Sequence, residues 1–255
     1  MNPLLDRRAR LVIGHRGAAA YAPENTLASF RRALELGATA LELDVRRSAD
    51  GEAMVFHDAN LDRTTDLSGP LAARTREELA RADAGFRFVA GNGTLPFRGS
   101  GIGIPALRDV VVAFPDVPLL IEIKEIGVQD AVARVLLESR AADRAVLAGA
   151  DHRALTVFGA APFTPGASRR DIARLYFGVG APDPMCRCYA VPDRYWGLPI
   201  PTRRFIRAAH RRESTVHVWT VDEPSLAVEL WNRGANGMVT NRPDVILAER
   251  RAPTR

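Results

Sequence analysis

His15 stands in Gly14-His15-Arg16-Gly17, directly after an apolar run. Farther along, Glu42 and Asp44 lie two apart in Leu41-Glu42-Leu43-Asp44-Val45, and Glu122 and Lys124 lie two apart in Ile121-Glu122-Ile123-Lys124. Residues at i and i+2 of a strand point to the same face, so each pair sets two charged groups on one side and apolar groups on the other. Charges turned into a fold need partners, because removing an ion from water is costly. A hard divalent cation with oxygen ligands neutralises three converging carboxylates most simply, and His15 and His57 then remain free for proton transfer. Such a metal, with Arg16 and Lys124, leaves the site one positive charge, which suits a phosphodiester. Lys124 is the chain's only lysine, the other 34 of the 35 cationic residues being arginine. A compact ammonium kept beside Glu122 in so arginine-rich a chain suggests a geometric need.

These residues come from separate segments, and the elements between them must bring them together. Apolar or β-branched runs at 11–15, 40–45, 119–124, 145–148, 175–178, 186–191, 215–221 and 237–240 predict eight strands. Helical patterns at 25–36, 106–114, 128–139, 201–212 and 224–233 fall between them. Eight parallel strands with crossovers are the arithmetic of a TIM (β/α)8 barrel, whose catalytic groups gather at the C-terminal strand ends. No linker-like stretch splits the chain, so one domain is expected over 1–255.

The eight residues between Asp44 and the run 53–57 are too few for a parallel crossover, and Asp50-Gly51 is a tight-turn pair. A hairpin with those two as its loop pairs positions that sum to 101 and sets His57 opposite Asp44. The following stretch, about 59–105, is a glycine-rich insertion expected over the barrel mouth, with Phe86, Phe88 and Phe97 packing it.

Composition narrows the class. With 47% hydrophobic and 25% charged residues the chain is globular, and no apolar run reaches the ~18 residues of a membrane span. The first ten residues hold no signal-like apolar stretch, and Cys186 and Cys188 read as reduced core thiols, so a cytoplasmic location is expected. The pI near 9.8 reflects arginines spread along the chain; the densest group, Arg203, Arg204, Arg207, Arg211 and Arg212, sits on one predicted helix as a solvated face. No nucleic-acid partner is therefore expected. His152, His210 and His217 are assigned no chemical role.

Six ordered motifs, Gly14-His15-Arg16-Gly17, Pro23-Glu24-Asn25-Thr26, Glu42-Leu43-Asp44-Val45, His57-Asp58, Glu122-Ile123-Lys124 and Val218-Trp219-Thr220-Val221, resemble the glycerophosphodiester phosphodiesterase family. The resemblance implies a TIM barrel that hydrolyses glycerophosphodiesters to sn-glycerol 3-phosphate and an alcohol with a divalent cation, Mg2+ or Ca2+. The glycerol 2-hydroxyl would act as internal nucleophile through a cyclic phosphate. It further implies Glu42, Asp44 and Glu122 as metal ligands, His15 and His57 as the acid/base pair, Arg16 and Lys124 as phosphate contacts, and Glu24 and Trp219 as supporting and site-lining residues. Gly149-Ala150 and Asn241 depart from the family's frequent Ser-Phe and Asp, changes expected to affect the pocket and not the metal ligands. The partner is then a small glycerophosphodiester, with no stable membrane insertion. A lysophospholipase D acting on lysophospholipids is the alternative within the enzyme class; a non-catalytic phosphodiester-binding barrel would need a missing ligand or histidine, and none is missing.

Overall fold

The computed structural model describes residues 2–251. Seven parallel strands form the main sheet: β1 (Leu11–His15), β2 (Ala40–Arg47), β4 (Leu119–Ile123), β5 (Ala145–Gly149), β6 (Cys188–Pro192), β9 (Thr215–Trp219) and β10 (Gly237–Thr240). They run in the order β5-β4-β2-β1-β10-β9-β6, and β3 (Ala53–Val55) adds antiparallel to β2. Residues 164–167 close the ring. The Gly166 amide donates to the Leu147 carbonyl at 2.7 Å and the Ala167 amide to the Cys188 carbonyl at 2.7 Å, stitching β5 to β6.

That closure corrects the expected strand at 175–178. Those residues form the last turn of helix α5 (Arg169–Phe177) and its left-handed cap at Gly178. Ser168 and Asp171 cap the helix start reciprocally, and Leu175 and Tyr176 pack on the core under α6 (Arg203–Arg211), so helical periodicity prevails. The other helices, α1 (Leu27–Glu35), α3 (Leu107–Ala113), α4 (Gln129–Glu138) and α7 (Pro224–Arg233), fall where the apolar spacing predicts them, joined by α2 (Arg76–Arg81) in the excursion and α8 (Pro243–Arg251) after β10. Among the described residues no helix is long and apolar enough to cross a membrane.

Two apolar clusters fill the space between sheet and helices, one under α1, α3 and α4 and one under α6 and α7. Inside the barrel, Leu11, Ile13, Leu120, Val146, Cys188 and Val239 pack with Leu4. The Leu4 carbonyl accepts hydrogen bonds from Thr215 Oγ1 (2.8 Å) and His217 Nε2 (2.9 Å), so the N-terminal turn plugs the floor. The barrel is thus filled below and free to open only at the C-terminal strand ends. Cys186 and Cys188 are free, buried thiols, as expected of core positions.

The hairpin register differs by one from the expectation. Val45 pairs with Val55 and Arg46 with Met54, and the Phe56 amide donates to the Asp44 carbonyl, so Phe56 and not His57 lies opposite Asp44. The loop holds three residues, 49–51; the Ser48 amide donates to Glu52, and Gly51 at φ 85° occupies the left-handed position that ends such loops. The excursion after the hairpin has its own small core around Leu61, Leu71, Leu79 and Ile104. It packs on the hairpin, with the Val55 amide donating to Pro105 and the Ala49 amide to Arg74. Phe88 and Phe97 stack edge to face, and the Arg98 guanidinium lies over Phe86.

Candidate active site

Parallel register puts the chemistry-bearing side chains on two rungs. His15 is paired with Glu42 across β1 and β2; one step higher, Asp44 is paired with Glu122 across β2 and β4. In-register residues of neighbouring parallel strands point to the same face, so the four groups converge above the filled floor. Oxygens of Glu42, Asp44 and Glu122 lie within 4.8 Å of one another. His57 arrives from beyond β3, held by a hydrogen bond from Arg46 Nε to its carbonyl at 2.7 Å. His15, Arg16, Glu42, His57, Glu122, Lys124 and Trp219 all line one cavity of about 830 Å3. Every residue singled out for chemistry in the sequence is in or beside this cavity; Asp44 and Glu24 stand just behind it.

The turn after β1 is built for this placement. Gly17 has φ 90°, and a Cβ there would lie 2.7 Å from the Ser29 carbonyl oxygen, so only glycine lets α1 approach. Arg16 itself sits at φ 50°, and its amide donates to Glu42 Oε2 at 2.9 Å. The Arg16 guanidinium reaches Glu24 at 2.8 Å and Asp44 at 3.1 Å. Lys124 Nζ lies 3.0 Å from Glu122 and 3.4 Å from Asp44. Both cations are therefore tied to the acidic cluster and face the same cavity, where an anionic group could share them.

Without further positive charge the cluster is strained. Burial, then the neighbouring Asp44 and Glu122 carboxylates, push the Glu42 carboxyl well above the usual range. Asp44 Oδ1 is buried and has no hydrogen-bond partner, whereas Oδ2 accepts from Asn25 Nδ2 at 2.9 Å. An all-oxygen donor set, one of whose buried oxygens makes no hydrogen bond and faces only the Lys124 ammonium at 3.4 Å, fits a hard divalent cation.

Each histidine is fixed through Nδ1, which leaves Nε2 for substrate. His15 Nδ1 lies 2.7 Å from Asn241 Oδ1, and Asn241 Nδ2 donates to Asp222 at 2.7 Å, which sets the amide orientation. Burial and then the Arg16 charge lower the His15 pKa, so its ring is neutral near pH 7. His57 Nδ1 lies 2.6 Å from Asp58 Oδ1. Asp58 in turn accepts from Arg63 Nε at 2.5 Å, and Arg63 makes a forked contact to Glu24 at 2.7 and 2.8 Å. Burial alone would raise the Glu24 and Asp58 carboxyls, but these hydrogen bonds hold each at about 2. A continuous chain, Arg16-Glu24-Arg63-Asp58-His57, thus ties one side of the mouth together, and Arg63 is the excursion's link to it.

Asn25, Asp58, Arg63, Asp222 and Asn241 were not singled out for roles by sequence reasoning. Two of them had a signal: Asn25 and Asp58 lie inside motifs already marked, next to Glu24 and His57. Asn241, noted in the sequence only as a departure from the family pattern, touches none of the three carboxylates but meets His15 directly at the cavity wall. Two of the other three histidines have structural contacts: His210 Nε2 meets Asn236 at 2.9 Å, and His217 is buried on the floor.

Known proteins share the sequence pattern and the fold of this chain. The model of the glycerophosphoryl diester phosphodiesterase family matches residues 15–161 and 167–245. The chain belongs to that family. A glycerophosphodiester phosphodiesterase of Caldanaerobacter subterraneus subsp. tengcongensis is 30% identical over 248 residues, covering 93% of this chain and 96% of that protein. The solved structure of an Oleispira antarctica phosphodiesterase in complex with the product sn-glycerol-3-phosphate superposes with a TM-score of 0.79 at 23% identity, covering 96% and 98% of the two chains. The glycerophosphodiester phosphodiesterase of Agrobacterium tumefaciens superposes with a TM-score of 0.76 at 24% identity, covering 94% and 99%. Both neighbours share the barrel. As a member of this glycerophosphodiester phosphodiesterase family, the chain is an enzyme that hydrolyses phosphoric diesters of glycerol.

Proposed function

We propose that the chain hydrolyses glycerophosphodiesters to sn-glycerol 3-phosphate and an alcohol, with Glu42, Asp44 and Glu122 holding a divalent cation and His15 and His57 transferring protons. The observation that carries this reading is that two imidazoles, both anchored through Nδ1, open onto the same cavity as three clustered carboxylates. When bound, Mg2+ or Ca2+ supplies electrostatic stabilisation of negative charge on the phosphoryl oxygens. Arg16 and Lys124 add to it from their positions beside Asp44 and Glu122. One imidazole accepts the proton of the glycerol 2-hydroxyl as its oxygen bonds to phosphorus; the other protonates the departing alcohol oxygen as that P–O bond breaks. The tethered hydroxyl gains a large effective-molarity advantage over bulk water. Water then opens the cyclic phosphate with the two roles exchanged, so both rings return to their starting states. Trp219 lines the wall beside the substrate, and Glu24 steadies Arg16.

The test is hydrolysis of glycerophosphocholine, glycerophosphoethanolamine and glycerophosphoinositol with Mg2+, Ca2+ or chelator. Turnover is expected with metal and lost in excess EDTA; His15→Ala and His57→Ala are each expected to lower kcat by about 100- to 10,000-fold. Activity unchanged in EDTA overturns the metal assignment, and a histidine whose loss raises KM with kcat intact belongs to binding instead.

A further inference from the structure

Beyond β4 the cavity wall turns mostly apolar, with Ala148, Ala167, Ile172 and Ile200 on it, and one full charge interrupts it. That charge is Arg169, the first residue of α5. Its amide donates to the Ala150 carbonyl at 3.2 Å, so the backbone that carries the guanidinium is fixed to the chain just past β5. Among the described residues the guanidinium makes no ion pair and no hydrogen bond. Arg153 and Arg174, on either side of it in the chain, are engaged, the first with Asp151 at 2.7 Å and the second with the Ala181 carbonyl at 3.1 Å. Tyr176 and Tyr195 line the same part of the cavity. Tyr195 stands on β7 (Arg194–Tyr195), which pairs with β8 (Leu198–Pro199), and the Tyr176 hydroxyl donates to the Pro199 carbonyl at 3.3 Å. Both phenols are neutral, so no anion on this wall answers Arg169.

The cations at the polar end are already accounted for. Arg16 is paired with Glu24 and Asp44, and Lys124 with Glu122 and Asp44. With a divalent cation on the carboxylates, that end balances the single charge of a phosphodiester, and Arg169 is left over in the same cavity. The glycerol 2-hydroxyl must reach both phosphorus and an imidazole, which holds glycerol at the polar end. The alcohol is therefore the part that extends toward α5, into the rest of a space of about 830 Å3. Gly149 and Ala150, which line the cavity beside Arg169, carry no side chain long enough to shield it. An alcohol ending in an ammonium meets a like charge there, and a neutral one leaves the guanidinium unanswered. An alcohol with a carboxylate or phosphate of its own pairs with it, because the planar fork donates to two oxygens of either group at once.

We propose that Arg169 determines specificity on the leaving-alcohol side, and that the preferred glycerophosphodiester carries a second negative charge, a carboxylate or a phosphate, on its alcohol. This assignment rests on the phosphodiesterase reading above and narrows its substrate class. Arg169 takes no part in bond making or breaking; it acts by pairing with the far end of the alcohol before and during the reaction.

The experiment measures kcat/KM with Mg2+ at low ionic strength for glycerophosphodiesters of propanols that differ only in the terminal group: hydroxyl, carboxylate, phosphate or trimethylammonium. Both anionic esters are expected to exceed the neutral one about 10- to 100-fold, the range of hydrogen bonds to a charged group, with the trimethylammonium ester lowest. The better of the two anionic esters identifies the anion. The advantage is expected to shrink as salt rises, because Arg169 is exposed. Arg169→Gln is expected to bring the anionic-to-neutral ratio to within about threefold of unity. Arg169→Glu is expected to place the trimethylammonium ester above the anionic ones, a reversal that a misfolded protein does not produce. Arg170→Gln removes the same charge from an exposed neighbour that does not line the cavity, and is expected to keep the ratio. Equal turnover of the four esters by wild type overturns the Arg169 assignment and leaves the hydrolase reading intact. An anionic advantage that survives Arg169→Gln, or falls equally in Arg170→Gln, belongs to the overall positive field of the protein and also overturns it. No turnover of any ester in the presence of metal removes the underlying reading and this one with it.

Discussion

Two arcs of one barrel have been given opposite work. On β1, β2 and β4 the strand ends carry His15, Arg16, Glu42, Asp44, Glu122 and Lys124; on β5, the closing segment and β6 they carry Ala148, Ala167, Ala190 and Pro192. The break is abrupt: Asp44, Glu122 and Ala148 are in register on three successive strands, so one rung passes from two carboxylates to a methyl. Backbone geometry is the same on both sides of that step, and only the side chains differ. Charges on the first arc sit together because each supplies another's partner; the residues named on the second carry none. On the proposed assignment the first arc does the chemistry, so substitutions there should lower the rate and those on the second arc should affect it far less.

The largest effect is expected on the acidic rung. Glu122→Gln keeps shape and removes a negative charge from the cluster, and kcat is expected to fall by about 1,000-fold or more, with weaker Mg2+ binding by calorimetry. Ala148→Ser, its register neighbour, is expected to stay within about threefold. If both substitutions cost the same, the two arcs are not functionally distinct.

Lys124→Arg is the next test. Net charge is unchanged, but a planar guanidinium replaces a compact ammonium that sits 3.0 Å from Glu122 and 3.4 Å from Asp44. We expect kcat/KM to fall about 100-fold with an unaltered thermal melt. Near-wild-type turnover would mean that Lys124 only balances charge.

The charged arc was the more legible of the two in the sequence, for a physical reason. Alternation such as Ile121-Glu122-Ile123-Lys124 assigns faces within a few residues, because the strand period is two. The apolar arc offered no such signal. Its closing segment, Thr164-Pro165-Gly166-Ala167, is short, contains proline and glycine, and pairs through only a few amides. The apolar turn of α5, Leu175-Tyr176-Phe177, imitated a strand because a short apolar run does not reveal its period. The hairpin register was lost to loop length: Asp50-Gly51 is right for a tight turn, but Ala49 joins it. Contacts between distant segments, such as Asn241 with His15 and Arg63 with Glu24, leave no local trace.

Arg63 tests how far the charged arc depends on the excursion. Its guanidinium joins Asp58 to Glu24 and so fixes the carboxylate that orients His57. Arg63→Met is expected to lower kcat about 10- to 100-fold, in the range of lost supporting hydrogen bonds around a site. A positioning role also predicts a changed pH profile of kcat and partial rescue in Arg63→Lys. Loss confined to stability, with kcat and its pH profile intact, would make the link structural.

The smallest effect is on stability and lies at the barrel floor on β9, the strand next to the apolar arc. His217, on β9, is fully buried; burial lowers its pKa from 6.5 to about 4, partly opposed by the hydrogen bond to the Leu4 carbonyl. The folded protein therefore keeps this ring neutral where the unfolded chain protonates it. Between pH 6.5 and about 4 the unfolded state binds more protons, so the contribution of His217 falls as pH falls, by up to about 3 kcal/mol in total, and levels off below that window. His217→Gln, whose amide can still donate to Leu4, removes the titration. Denaturant melts at pH 7 and pH 4.5 are expected to show a smaller acid loss for the variant than for wild type, with the difference close to one proton in slope. Equal slopes would show that this side of the barrel tolerates a buried charge after all, and the contrast between the arcs would then rest on the mouth alone.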